Sequence, residues 1–174
     1  MAKLCTLLTT LFLLCSSPLA AQDAWPTSSP RLEFVMQLRV TLGQTFTLGP
    51  TAHGRRTVVP ITGGTFSGPL LRGTILSGGA DYQLTDSTGR RTELDAIYTI
   101  RTDDGCHINV RNRGLVTTTA NTPEGQPATY FKAAPQFEAP SDSPYAWLAD
   151  ALYVCAPDFS VPFQGIVLNV WKVK

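Results

Sequence analysis

Six charged residues, Arg72, Asp81, Asp95, Arg101, Arg111 and Arg113, fall where strands or strand ends are expected. They are the residues best placed to do chemistry. In the segment from Cys106 to Arg113, His107, Asn109, Arg111 and Arg113 share one face, and Cys106, Ile108, Val110 and Asn112 share the other. A wholly polar face has two readings, a solvated outer surface or the lining of a ligand-holding barrel. In the second, Arg111, Arg113 and Arg72 aim cationic donors at a bound carboxylate, enolate or phenolate, with Asn109 and Asp95 beside them. Asp81 and Tyr98 complete an acid–base set, because a phenol beside a carboxylate relays a proton when burial shifts either group. The plainer roles are a core aromatic for Tyr98 and a turn residue for Asp81, which follows Gly78-Gly79-Ala80. Trp147 with Tyr145, Phe131 and Phe137 is a candidate wall for a flat ligand, with core packing as the alternative. The catalytic candidates are therefore Asp81, Tyr98 and Arg111. The ligand-binding candidates are Arg72, Asp95, Asn109, Arg113, Tyr145 and Trp147.

Other chemistries find little support. Gly64-Thr65-Phe66-Ser67-Gly68 sets its serine one place late for a Gly-x-Ser-x-Gly nucleophile elbow, and no strand-to-helix context follows. The chain has no Gly-x-x-x-x-Gly-Lys phosphate cradle and no Gly-x-Gly-x-x-Gly dinucleotide turn. His53 and His107 are the only histidines, and the acids near His107, Asp103 and Asp104, are turn formers at a hairpin tip. No metal and no cofactor is expected.

The elements that position these residues alternate with a period of two. Leu32, Phe34, Met36, Leu38, Val40 and Leu42 mark one face of a long strand. Leu94, Ala96, Tyr98, Ile100 and Thr102 lead to the turn Asp103-Asp104-Gly105, after which alternation resumes, so a hairpin is predicted there. Asp86-Ser87-Thr88-Gly89 marks a second turn, making residues 80 to 113 a three-stranded meander. Clustered glycines from Gly63 to Gly79 predict bulges and sharp bends. Leu115 to Pro144, with five prolines, reads as a long crossing loop. Tyr145 to Leu152 has helical spacing, Tyr153-Val154-Cys155 is strand-like, and Ile166 to Val173 is a strand lying between neighbours. Some eight or nine strands with at most one short helix must close into a barrel or stack as a sandwich. Closure removes exposed edges.

The start of the chain reads as an address. Lys3, an apolar run from Leu4 to Cys15, and Ala20-Ala21 have the layout of a secretory leader over residues 1 to 21, too short to span a bilayer. Residues 22 to 31 read as a polar, proline-rich lead-in, and 32 to 174 as one domain. Secretion, or a periplasmic location in a bacterium, is the expectation, with no membrane association after cleavage. The 153 residues left by cleavage hold thirteen Lys and Arg against thirteen Asp and Glu, which gives no net pull on nucleic acid. Cys106 and Cys155 remain in that part, and an oxidising compartment allows either a disulfide or two buried thiols.

Several strings taken together are similar to the bacterial and fungal family catalogued as domain of unknown function 3237. They are Gly49-Pro50-Thr51 with Gly54-Arg55-Arg56, Ile61-Thr62-Gly63-Gly64-Thr65-Phe66, Gly78-Gly79-Ala80-Asp81, Leu94-Asp95-Ala96 with Tyr98, Arg101-Thr102-Asp103-Asp104-Gly105, Val110-Arg111-Asn112-Arg113-Gly114, and Tyr145-Ala146-Trp147-Leu148. The resemblance implies an all-β, antiparallel, lipocalin-like barrel of the calycin type. For activity it implies only that some fungal members look like tailoring proteins for ring closure or isomerisation of aromatic molecules. The leader, the two cysteines and the segment from Val116 to Thr129 depart from the pattern. The expected function is binding of a small oxygenated apolar or aromatic molecule, with or without cofactor-free chemistry on it. A carrier or scavenger, and a structural protein with a filled barrel, are the alternatives.

Overall fold

A computed structural model describes residues 28–118 and 130–174. The leader read at residues 1–21, most of the lead-in, and the middle of the proline-rich segment lie outside the described residues. Ten strands form one antiparallel sheet: β1 (Leu32–Leu42), β2 (Phe46–Thr51), β3 (Gly54–Ser67), β4 (Arg72–Ile75), β5 (Gly79–Thr85), β6 (Arg91–Thr102), β7 (His107–Thr117), β8 (Tyr130–Glu138), β9 (Tyr153–Pro157) and β10 (Ile166–Val173). The order β1-β10-β9-β8-β7-β6 continues through β4 and β5 to β3, and β3 pairs back with β1. Both β4 and β5 lie between β3 and β6, so they occupy one strand position broken by a bend, and the sheet closes as an eight-stranded barrel. The hairpin strand β2 lies outside the circuit, on the first part of β3. Closure needs backbone to approach backbone: at Gly64, with φ of 136°, a Cβ would sit 2.0 Å from the carbonyl oxygen of Arg39.

Most of the expected alternation is present, with one shift. A bulge between Phe34 and Met36 inserts Val35, so Val35 and Met36 are both buried. Leu32 and Phe34 consequently turn outward, 55% and 41% exposed, against the single inward face read from the sequence. The predicted hairpin is present, with Gly105 (φ 90°) in its turn and the Thr102 N–H donating to the Cys106 carbonyl. The expected loop from Leu115 to Pro144 is narrower than the prolines suggested. Residues 115 to 117 continue β7, and Tyr130–Glu138 form β8, where Pro135 costs no more than one ladder donor.

The two ends of the barrel differ. At one end the core cluster of Ile100, Ile108, Val110, Phe137, Leu71 and Ile75 is solid, and a one-turn 3-10 helix, Ala146–Asp150, presses the fully buried Leu148 onto it. Arg31, just before β1, and Lys174, just after β10, meet there and exchange backbone hydrogen bonds of 3.0 and 2.8 Å. The other end is reached by Leu42, Thr92, Val116, Phe131 and Ile166, and there the interior is hollow.

Candidate functional site

The hollow end is a cavity of about 230 Å³. Its walls follow from the strand pleat. Neighbouring residues at one level of the sheet, Val59, Asp81, Ala96 and Asn112, are register partners in turn and all line it. Val40, Leu42, Phe131, Ala133, Ile166 and Leu168 supply an apolar wall from β1, β8 and β10, and Asp81, Gln83, Thr92 and Asn112 a polar one from β5, β6 and β7. Tyr98, one pleat below Ala96, closes the floor.

Asp81 is half-buried among these residues. Its Oδ2 accepts a hydrogen bond of 2.8 Å from Gln83 Nε2, and its Oδ1 accepts one of 3.0 Å from the backbone N–H of Asp95. Burial raises its pKa above the ordinary carboxylate value; the two hydrogen bonds offset part of that, and the charge of Asp95 adds to it. Asn112, buried on β7, donates from Nδ2 to Cys155 Sγ at 3.8 Å, which leaves its Oδ1 without a partner. The Tyr98 hydroxyl is also buried and unpartnered. Burial lifts the Tyr98 phenol far above its usual pKa, and pushes the Cys155 thiol up to about 12. Near neutral pH both therefore keep their protons. Neither orphaned atom is open to solvent. Each costs roughly 1–3 kcal/mol while unpaired, which a suitable bonding partner would recover.

Of the residues singled out from the sequence, the structure brings Asp81 and Tyr98 together in the cavity and disperses the rest. The polar face of β7 points outward, since its partner row Ile108, Val110 and Asn112 fills the interior. Arg111 Nε and Nη2 grip Asp95 Oδ1 and Oδ2 at 2.8 and 2.7 Å, and Arg113 Nε lies 3.7 Å from the same carboxylate. The two arginine side chains are 40% and 60% exposed, so they line no interior and the solvated-face reading is the correct one. Asn109 is likewise outside, donating to Glu138 at 3.2 Å. Arg72 and Tyr145 lie at the solid end, where the Tyr145 hydroxyl donates to Asp104 at 3.1 Å. Trp147 faces Lys172 in a separate groove with Phe34 and Leu70. The aromatic wall is split as well: Phe131 is at the mouth, while Phe137 packs edge-on against Tyr153 at 5.0 Å in the solid core.

The disulfide is absent, and the register explains why. Cys155 pairs with Ala133, which pairs with Gly114, eight residues along β7 from Cys106. At about 3.3 Å per residue that is roughly 26 Å, far beyond the ~7 Å Cα reach of a disulfide. Among the described residues no group of three His, Cys, Asp or Glu is clustered for a metal.

Sequence reasoning missed Asn112, Gln83 and Thr92. The available signal for Asn112 was its position as the one polar residue in the apolar row Ile108-Val110. Gln83 sits two residues from Asp81, on the same side of β5.

Fold and cavity together define a class: a closed eight-stranded antiparallel β-barrel, solid at one end and hollow at the other. Residues 30–173 match the family described as Protein of unknown function (DUF3237), and the chain belongs to it. A relative from Clostridium acetobutylicum, an uncharacterised-family protein, is 31% identical over 151 residues, covering 82% of this chain and 93% of the relative. The crystal structure of a β-barrel-like protein from Acinetobacter baumannii superposes with a TM-score of 0.74 at 32% identity, covering 88% of this chain and all of that one. A structure from Penicillium herquei, described as an enzyme, reaches a TM-score of 0.66 at 23% identity over 87% of this chain and 99% of that one. At that identity the likeness is one of fold.

Proposed function

We propose that the barrel binds a small, largely apolar, oxygenated molecule in this cavity, and that Asp81 moves a proton on it without a cofactor. One observation carries the reading: a largely apolar hollow with one polar wall holds a single carboxylate of raised proton affinity, beside two buried polar atoms that lack partners. The apolar wall takes the body of the ligand and the β5-β6-β7 wall takes its oxygens. Asp81 removes a proton from a carbon next to a carbonyl, becoming the neutral acid, and returns it to another atom of the same molecule, which is an isomerisation balanced within one ligand. Tyr98, with its proton held tightly, serves as a hydrogen-bond donor and not as the base. Arg111 and Arg72 have no part in this, because they lie outside the cavity.

A carrier that leaves its ligand unchanged is the second reading. It is favoured by one feature, the lack of any cationic side chain among the described residues that line the cavity, where an enolate charge would develop. The two separate as follows. Protein with its co-purified ligand, identified by native mass spectrometry, is incubated in deuterium oxide. Deuterium entering a carbon position of the ligand with wild-type but not with Asp81→Asn supports catalysis; no exchange with wild-type leaves only the carrier. The leader read at residues 1–21 assigns this activity to an exported protein, checked by a mature N-terminus at about residue 22.

A further inference from the structure

The groups facing the cavity are unbalanced in charge. Among the described lining residues there is one carboxylate and no lysine, arginine or histidine. That carboxylate keeps acceptor capacity: its oxygens each accept one hydrogen bond, from Gln83 Nε2 and from the Asp95 N–H, and each has a second lone pair to offer. Asn112 adds a buried Oδ1 that has no partner.

From this we infer that Asp81 selects ligands by charge: the cavity takes an uncharged molecule that offers a hydroxyl as hydrogen-bond donor, and refuses carboxylates and phosphates. The inference rests on the reading of the cavity as a binding site and names the chemistry of what enters it. An anion placed here loses its hydration, meets the charge of Asp81 across a partly enclosed apolar space, and finds no cation in return. A neutral hydroxyl loses little on entry and finds acceptors waiting. An ammonium would match the charge. Yet it gives up its full hydration on entering a largely apolar space, a cost that a neutral hydroxyl does not bear. Rejection by an unanswered like charge is a usual route to specificity, and here one residue supplies it.

Three probes with one aromatic ring each, phenol, benzoate and benzylamine, test this at pH 7. Their dissociation constants are read by NMR from the methyl signals of Val40, Leu94, Val116, Ile166 and Leu168 in the purified protein. Phenol is expected to bind at least about ten-fold more tightly than benzoate to wild-type, the scale of a partly screened like-charge contact. In Asp81→Asn that gap is expected to close to within about three-fold, with Asp81→Ala as a second variant should the first fail to fold. Benzoate binding wild-type as tightly as phenol, or a gap unchanged in both variants, overturns charge selection by Asp81, and benzylamine binding more tightly than phenol overturns the choice of an uncharged ligand; each leaves the cavity a binding site. If no probe moves any of these methyl signals, the binding site itself is lost, and the inference with it.

Discussion

The two ends of the barrel are built from the same strands and do opposite work. On β6, Ile100 and Thr102 are buried at the solid end and Tyr98 forms the floor between the ends, while Thr92, Leu94 and Ala96, further back on the same face, border a void. On β7, Ile108 and Val110 are fully buried, and Asn112, one pleat on, is where polar lining begins. Side-chain volume accounts for the difference: the hollow end has Ala96, Ala133 and Gly114 at the levels where the solid end has Phe137, Ile100 and Leu148. Stability thus resides at one end, leaving the other free to hold imperfectly paired polar groups.

The comparison breaks most visibly at the 3-10 helix. Leu148→Ala leaves a hole in the solid end and is expected to lower stability by about 2–5 kcal/mol in urea unfolding, whereas Leu42→Ala at the mouth costs less than about 1 kcal/mol. Equal losses would show that the ends are not distinct. Enlarging side chains sharpens the same contrast. Val110→Leu overpacks the solid end and costs about 1–3 kcal/mol, while Ala96→Leu grows into the void, leaves stability within about 1 kcal/mol, and displaces bound ligand.

A finer effect is the pH dependence that Asp81 contributes. Its folded-state pKa is raised, so the folded protein holds a proton that the unfolded chain releases, and stability falls as pH rises from the ordinary carboxylate value through the raised one. Asp81→Asn removes that dependence. Melting temperatures of the variant and wild-type are expected to diverge in the variant's favour from acid toward neutral pH, and a constant difference would contradict the burial of Asp81. The smallest effect belongs to Arg111→Met. Losing a solvent-screened ion pair with Asp95 changes the melting temperature little and leaves ligand affinity in the cavity unchanged.

Strand alternation and turn chemistry made the barrel readable in advance, because both act locally: the hairpin around Asp103-Asp104-Gly105 and the strand from Leu32 depend on residues near in sequence. Where local order is broken, reading failed. Val35 adds one residue to β1, and every side chain before it changes face. The β7 face stayed open between two readings for a different reason: a row of His107, Asn109, Arg111 and Arg113 looks like chemistry, but each carries enough charge or polarity to prefer water, and Asp95 and Glu138 outside answer it. Of the groups that do face inward, Asn112 is an isolated polar residue in an apolar row and Asp81 shares its side of β5 with Gln83, and only the closed register of β3, β5, β6 and β7 brings Asp81 and Asn112 to one level.

The backbone pairing of Arg31 with Lys174 extends the ladder of β1 and β10 and sets the first and last residues of the barrel side by side, so the order of the strands in the gene is not essential to it. A short linker from residue 174 to residue 31, with new termini cut at the exposed Asp86–Arg90 turn, is expected to give a circular permutant with the same barrel. The seam would lie on the solid side. Fluorescent reporters fused at the natural positions would then sit far from the opening, and those fused at the permuted ones beside it.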